Sequence, residues 1–167
     1  NCLILYFLDK INSTTSFRVQ VTAVNSCTNF FWRQQIEDYY NYAGKTVTFS
    51  CRANCNVAGV PDSLASPQIR INSSAGSVYS IKYDATNPNT WQTLSVTTTL
   101  PAGITSLDVA IGYFTPGGTP VATQQSYWDN AMFTIASSYV PYIAKSPDRE
   151  LWQCQRYYEK SYDPATP

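Results

Sequence analysis

The side chains best equipped to meet a ligand crowd into one run, Ser126-Tyr127-Trp128-Asp129-Asn130. Two rings, a carboxylate and an amide in adjacent positions suit a sugar. The apolar face of a pyranose stacks on an aromatic ring, while amide and carboxylate groups meet its hydroxyls. Trp91 follows the turn "NPNT" and opens a strand, and it joins Tyr127, Trp128, Asp129 and Asn130 as a ligand-binding candidate. Trp32, Tyr83 and Tyr113 supply further rings. Packing is the competing role for each of them, because aromatic side chains anchor β cores by their large buried area.

Other chemistries lack their parts. The chain has no histidine, so neither a Ser-His-Asp triad nor a Cys-His pair can be assembled. No glycine-rich phosphate loop occurs. Glycoside hydrolysis needs two placed carboxylates, and Glu37, Asp38, Asp84, Asp108 and Asp129 are the candidates. Glu37 and Asp38 fall at a turn, and the other three read as strand ends or exposed faces, so solvated surface explains them and no catalytic residue is assigned. The cysteines are Cys2, Cys27, Cys51, Cys55 and Cys154, an odd number that cannot pair fully within one chain. Cys51 and Cys55 form a C-x3-C pair, but the second ligand pair of a zinc site is missing, and no metal or other cofactor is implied. Reduced, buried thiols are the expected state, with a Cys51–Cys55 or Cys2–Cys27 bridge as the alternative.

Composition narrows the setting. Lys plus Arg equals Asp plus Glu, 11 against 11. That balance gives no pull toward nucleic acid or an anionic membrane. Charged residues make up 13% of the 167, about half the usual share of roughly 25%. Low charge with many Tyr, Thr, Ser and Asn fits an extracellular or particle-surface β domain. The opening "NCLILYFL" is apolar, yet far short of the roughly 20 residues that span a bilayer. It reads as a first strand, with no membrane insertion. The first residue is not Met, which suggests a piece of something longer.

The elements that must position these groups are strands. Apolar residues recur with period two in "FRVQVTAV" (17–24), "KTVTFSCRA" (45–53), "SPQIRINSS" (66–74), "SVYSIKYD" (77–84), "TWQTLSVTTTL" (90–100), "SLDVAIGYFT" (106–115) and "NAMFTIASS" (130–138). Gly, Pro and Asn punctuate the intervals at 41–45, 74–77, 85–90, 100–105 and 115–120. Regular short strands point to an all-β antiparallel sandwich or jelly roll. Two stretches differ. "QIEDYYNYAG" (35–44) suits a helical turn closed by Gly44. "SPDRELWQCQRYYEK" (146–160) begins with Ser146, Pro147 and first-turn acids, which is a helix start. The chain therefore divides into a sandwich over 1–145 and a C-terminal connector over 146–167, a short helix and then an extended run. In that connector Leu151 and Cys154 share a side toward the sandwich. Arg156, Tyr157 and Tyr158 are left to meet another protomer or the next module.

Two stretches carry a resemblance. "WRQQIEDYYNYAGKTVTFSCRA" (32–53) and "ELWQCQRYYEKSYD" (150–163), with its "CQRYYEKS" core, are similar to the carbohydrate-binding-module-like domain of bacteriophage tail fibres and related appendages. The resemblance spans roughly residues 17–163. It implies a jelly roll on a virion, one module of a longer and usually trimeric fibre, joined to other tail proteins. It also implies attachment to the host surface through glycan, outside the cell. No ligand residues carry over from it. The chain departs from the pattern before the last motif, where "SYVPYIAKSPDRE" stands in place of a "QLE-G--ATPFE"-like run. Two other roles compete: an architectural virion spacer or trimerisation module, and a glycan depolymerase, for which the acids give least support.

Overall fold

In the computed structural model of the chain, residues 4–11, 14–21, 30–56, 66–114, 124–143 and 148 are described. Their strands run β1 (Ile4–Ile11), β2 (Thr14–Val21), β3 (Phe30–Gln35), β4 (Thr46–Cys55), β5 (Gln68–Ser73), β6 (Gly76–Tyr79), β7 (Gln92–Thr99), β8 (Leu107–Tyr113) and β9 (Gln125–Ile135). A 3-10 turn over Tyr39–Asn41 occupies the predicted helical stretch before Gly44. Gly44 takes φ +70, the left-handed conformation that lets the chain swing into β4 without a Cβ clash.

Five strands in the order β1-β2-β9-β4-β7 face four in the order β3-β8-β5-β6, and every pairing is antiparallel. The fold is the expected antiparallel β-sandwich. Alternation fills the space between the sheets. Val47, Phe49, Cys51, Ala53 and Cys55 of β4 point inward against Ile69 and Ile71 of β5, Leu94 and Val96 of β7, and Leu107, Val109 and Tyr113 of β8. Burying each aliphatic side chain contributes about 1.5–3 kcal/mol. At one end, Tyr39 and Tyr42 of the 3-10 turn pack on this core, and Tyr42 lies 5.1 Å from the Phe133 ring.

Several expectations need correction. The strand expected over 77–84 stops at Tyr79. The next residues leave the sheet so that Tyr83 can enter the core. The strand expected over 130–138 begins five residues earlier and takes in the whole aromatic–amide run. Asp108, expected at an exposed position, is only 6% exposed. A Cys51–Cys55 bridge is ruled out. Both side chains are buried, and they sit on one strand four residues apart. That spacing puts them roughly 13 Å apart at the ~3.3 Å strand rise, where a disulfide needs Cα atoms within about 7 Å. The predicted C-terminal helix lies outside the described residues apart from Asp148.

Candidate functional site

The strand period sorts the predicted ligand residues. Along β9, Ser126 and Trp128 point into the sandwich, and Tyr127 and Asp129 point out of the five-stranded sheet. Trp128 is 3% exposed and its indole N–H donates to Ser126 Oγ at 3.0 Å, so it is a core ring and not a surface ligand contact. Tyr83 and Tyr113 are likewise buried, and burial holds both phenols above their ordinary pKa. Of the ligand-binding candidates, Trp91, Tyr127, Asp129 and Asn130 remain at the outer face.

Asn130 gets there by breaking the ladder. Ser50 pairs with Met132 and Arg52 with Asp129, so Cys51 faces two residues, Asn130 and Ala131. This is a β-bulge, and Asn130 takes φ +52 within it. Asn enters the left-handed region more readily than other non-glycine residues. The bulge explains how Trp128 and Phe133, an odd five positions apart, both face the interior.

Trp91 is carried by a rigid loop. The Asp84 carboxylate accepts from the Thr86 hydroxyl at 2.6 Å, the Thr86 N–H at 2.9 Å and the Asn87 amide at 2.7 Å. These bonds, the Thr86 hydroxyl first, lower the Asp84 pKa. Tyr83 donates its hydroxyl to the Thr90 carbonyl at 2.8 Å, and the Asn89 N–H reaches the Cys55 carbonyl at 2.8 Å. The loop is thus tied to both the core and the end of β4, and Trp91 emerges half-buried beside Arg52, whose guanidinium lies 4.9 Å from the ring centroid. Arg52 is the register partner of Asp129 on the same face.

The segment after β9 completes the surface. Thr48 donates its hydroxyl to the Ala136 carbonyl at 2.9 Å, which brings the chain back across the outer face. Tyr139, Pro141 and Tyr142 then wall a groove of about 160 Å³ with Ser50, Arg52, Thr93 and Asn130. Tyr139 and Tyr142 are exposed. The groove therefore offers hydroxyls, a guanidinium, an amide and two rings in one place. This is a hydrogen-bonding set for a polyhydroxylated ligand, with apolar surface for its ring faces. Sequence reasoning missed Arg52, Thr93, Tyr139 and Tyr142. For Arg52 and Thr93 the signal was available, since both hold the polar positions of alternating strands.

Arg156, Tyr157 and Tyr158 lie outside the described residues. Among the described residues no three of Cys, Asp and Glu gather as a metal site. No helix among them is long and apolar enough to cross a membrane.

No protein-family profile matches the chain, and no curated protein does. Solved structures do match. The CBM22 and GH10 modules of a Clostridium thermocellum endo-1,4-β-D-xylanase, complexed with xylohexaose, superpose with TM-score 0.54 at 14% identity, covering 87% of this chain and 26% of that one. A family 4 carbohydrate-binding module gives TM-score 0.52 at 14% identity, covering 81% of this chain and 78% of that one. The enzymatically active domain of bacteriophage CBA120 tailspike protein 4 gives 0.50 at 14% identity, covering 81% of this chain and 18% of that one. At these identities the likeness is one of fold, the jelly roll of carbohydrate-binding modules.

Proposed function

We propose that the chain is a non-catalytic glycan-binding module whose ligand lies on the outer face of the five-stranded sheet. The observation that carries this reading is the convergence of Arg52, Asn130, Tyr139 and Tyr142 on one groove, two rings among hydrogen-bonding groups, with Trp91 stacked against Arg52 beside it. The carbohydrate-binding-module fold supports it, and the acids give no rival. Glu37 and Asp38 lie at the 3-10 turn, Asp84 is consumed by its own loop, and Asp108 is on the other sheet.

The resemblance to phage appendage domains, with a tailspike among the fold relatives, supports a finer setting: a module of a virion fibre that attaches to host-surface glycan. In that setting residues 146–167 connect the module to its neighbours in a trimer, with Arg156, Tyr157 and Tyr158 at the contact. A glycan array probed with the isolated chain tests the binding. Saturable binding to a polysaccharide class, lost in Trp91→Ala, is the expected result. Silence across the array, with the protein folded, would leave the module an architectural spacer.

A further inference from the structure

We propose that the cleft between the two sheets is a second binding site, taking a neutral amphiphile: an apolar chain with an uncharged hydroxyl or amide head. The cleft has a volume of about 350 Å³ and is bounded by Phe17, Trp32, Phe49, Val109, Ile111 and Trp128. That is more than twice the roughly 150 Å³ of an apolar cavity that binds benzene. Two features of the chain open it. The bulge at Asn130 and Ala131 interrupts the β4–β9 ladder beside the cleft. Gln34, the register partner of Val109, puts an amide at an inward-facing position of edge strand β3.

The lining dictates the ligand. Deep in the cleft the polar hydrogens are already used inside the protein. Trp128 donates to Ser126, and the Cys51 thiol donates to the Asp129 carbonyl at 3.2 Å. What the depth offers is apolar contact. At the mouth stand Gln34 and Asn130, one amide from each sheet, beside the exposed Ala131. Trp32 is 52% exposed there, edge-on to Phe17 with centroids 5.2 Å apart. Among the described residues that line the cleft there is no Lys or Arg, and the one acid, Asp129, borders it through a residue whose side chain points to the outer face. An anionic head would therefore be desolvated without a cation to meet it. A neutral head can exchange hydrogen bonds with the two amides. An apolar pocket of this size with a few convergent polar groups is the usual form of a small-molecule site. Asn130 borders both sites, but the apolar depth of the cleft lies on the inner side of the sheet and Tyr139 and Tyr142 of the groove on the outer side, so the inference does not depend on the glycan reading.

The test uses the four tryptophan indole N–H resonances of the 15N-labelled chain as reporters. Titration with 1-octanol should move the Trp32 and Trp128 signals saturably and leave Trp91 in place. Octanoate should bind at least about ten-fold more weakly, since its carboxylate must shed water with no Lys or Arg among the described lining residues to meet it. Ala131→Phe, at an exposed rim position, should abolish the shifts while the rest of the spectrum stays dispersed. Gln34→Phe plugs the mouth from the other sheet and serves if the first variant does not fold. Shifts that never saturate, that fall on Trp91 alone, or that survive both plugs would overturn the site. Octanoate binding as tightly as octanol would overturn the neutral head.

Discussion

The guanidinium of Arg52, on β4, lies 4.9 Å from the ring centroid of Trp91, at the entrance to β7. The contact ties a strand to a loop, so Trp91 holds Arg52 in its place on the groove. An aromatic or arginine anchor truncated at a binding surface costs on the order of 2 kcal/mol, which is about thirty-fold in affinity. Trp91→Ala and Arg52→Ala should each weaken glycan binding by roughly that factor in isothermal titration. The double variant should lose less than the sum, because the two contacts are shared. Strict additivity would mean that the pair does not act as one unit.

Asn130 holds its left-handed conformation at φ +52 because the bulge requires it. Asn130→Ala should cost about 1 kcal/mol, seen as a melting temperature lower by roughly 2–4 °C. Asn130→Gly should keep the stability, since glycine accepts that conformation freely. Glycine would still remove the amide from the groove and weaken ligand binding. Equal melting temperatures for the alanine and glycine variants would contradict the backbone argument.

The same residue marks where the sequence stopped being legible. Strands with unbroken alternation read correctly: "KTVTFSCRA" places Val47, Phe49 and Cys51 on the core side, as found. In "YWDNAMF" the inward rings are Trp128 and Phe133, an odd number of residues apart. Period-two reasoning cannot hold both on one face, so it began the strand at Asn130 and left residues 126–129 outside it. An odd spacing of large apolar residues across an Asn is the signal of a bulge. Trp91 was placed near the site, but Tyr139 and Tyr142 were not. They act through a return path across the sheet that no local pattern encodes. Asp108 was misread for a similar reason, because its burial depends on Arg70 and Asn72, far away in the chain.

Burial pushes the Cys51 thiol up from the ordinary value near 9 to about 12. At neutral pH it should resist iodoacetamide in the folded protein and react once urea unfolds the chain. The shift also sets a pH dependence. The unfolded thiol ionises as pH rises past about 9, while the folded one keeps its proton. The stability is therefore fully present below pH 9 and is lost as pH climbs toward 12. Urea midpoints at pH 8 and pH 10.5 should fall further in wild type than in Cys51→Ala. Matching slopes would remove the thiol from the account.

Asp84 works at the other end of the pH scale. Its carboxyl is held below the usual carboxylate range by the Thr86 hydroxyl, the Thr86 N–H and the Asn87 amide. Its contribution is present above the unfolded pKa of about 3.9 and is lost as pH falls through the lower folded value. Asp84→Ala should lower the melting temperature at pH 7 and loosen the loop that carries Trp91, weakening glycan binding. The gap between variant and wild type should close in acid, once the wild-type carboxyl is protonated. A gap that persists at pH 2 would place the effect elsewhere.

The strongest stability test lies on the opposite sheet. Arg70 reaches Asp108 at 3.6 Å with side chains only 13% and 9% exposed. The guanidinium also lies 4.7 Å from the Phe31 ring centroid and 5.0 Å from that of Phe114. Asn72 donates to the Asp108 carboxylate at 2.7 Å and accepts from the Ser77 hydroxyl at 2.7 Å. The charges face each other in a largely dry setting, and Arg70 Nε has no hydrogen-bond partner among the described residues. In such a pair the removal of one member is costly, because the other charge stays buried alone. Asp108→Ala should therefore destabilise by about 3 kcal/mol in urea unfolding. Removing both charges should cost far less. Arg70→Met keeps the apolar stem between Phe31 and Phe114, so Arg70→Met/Asp108→Ala should recover most of the loss. A double variant as unstable as Asp108→Ala would mean that the carboxylate's role is to hold Asn72 and the β5–β8 ladder, and not to neutralise Arg70.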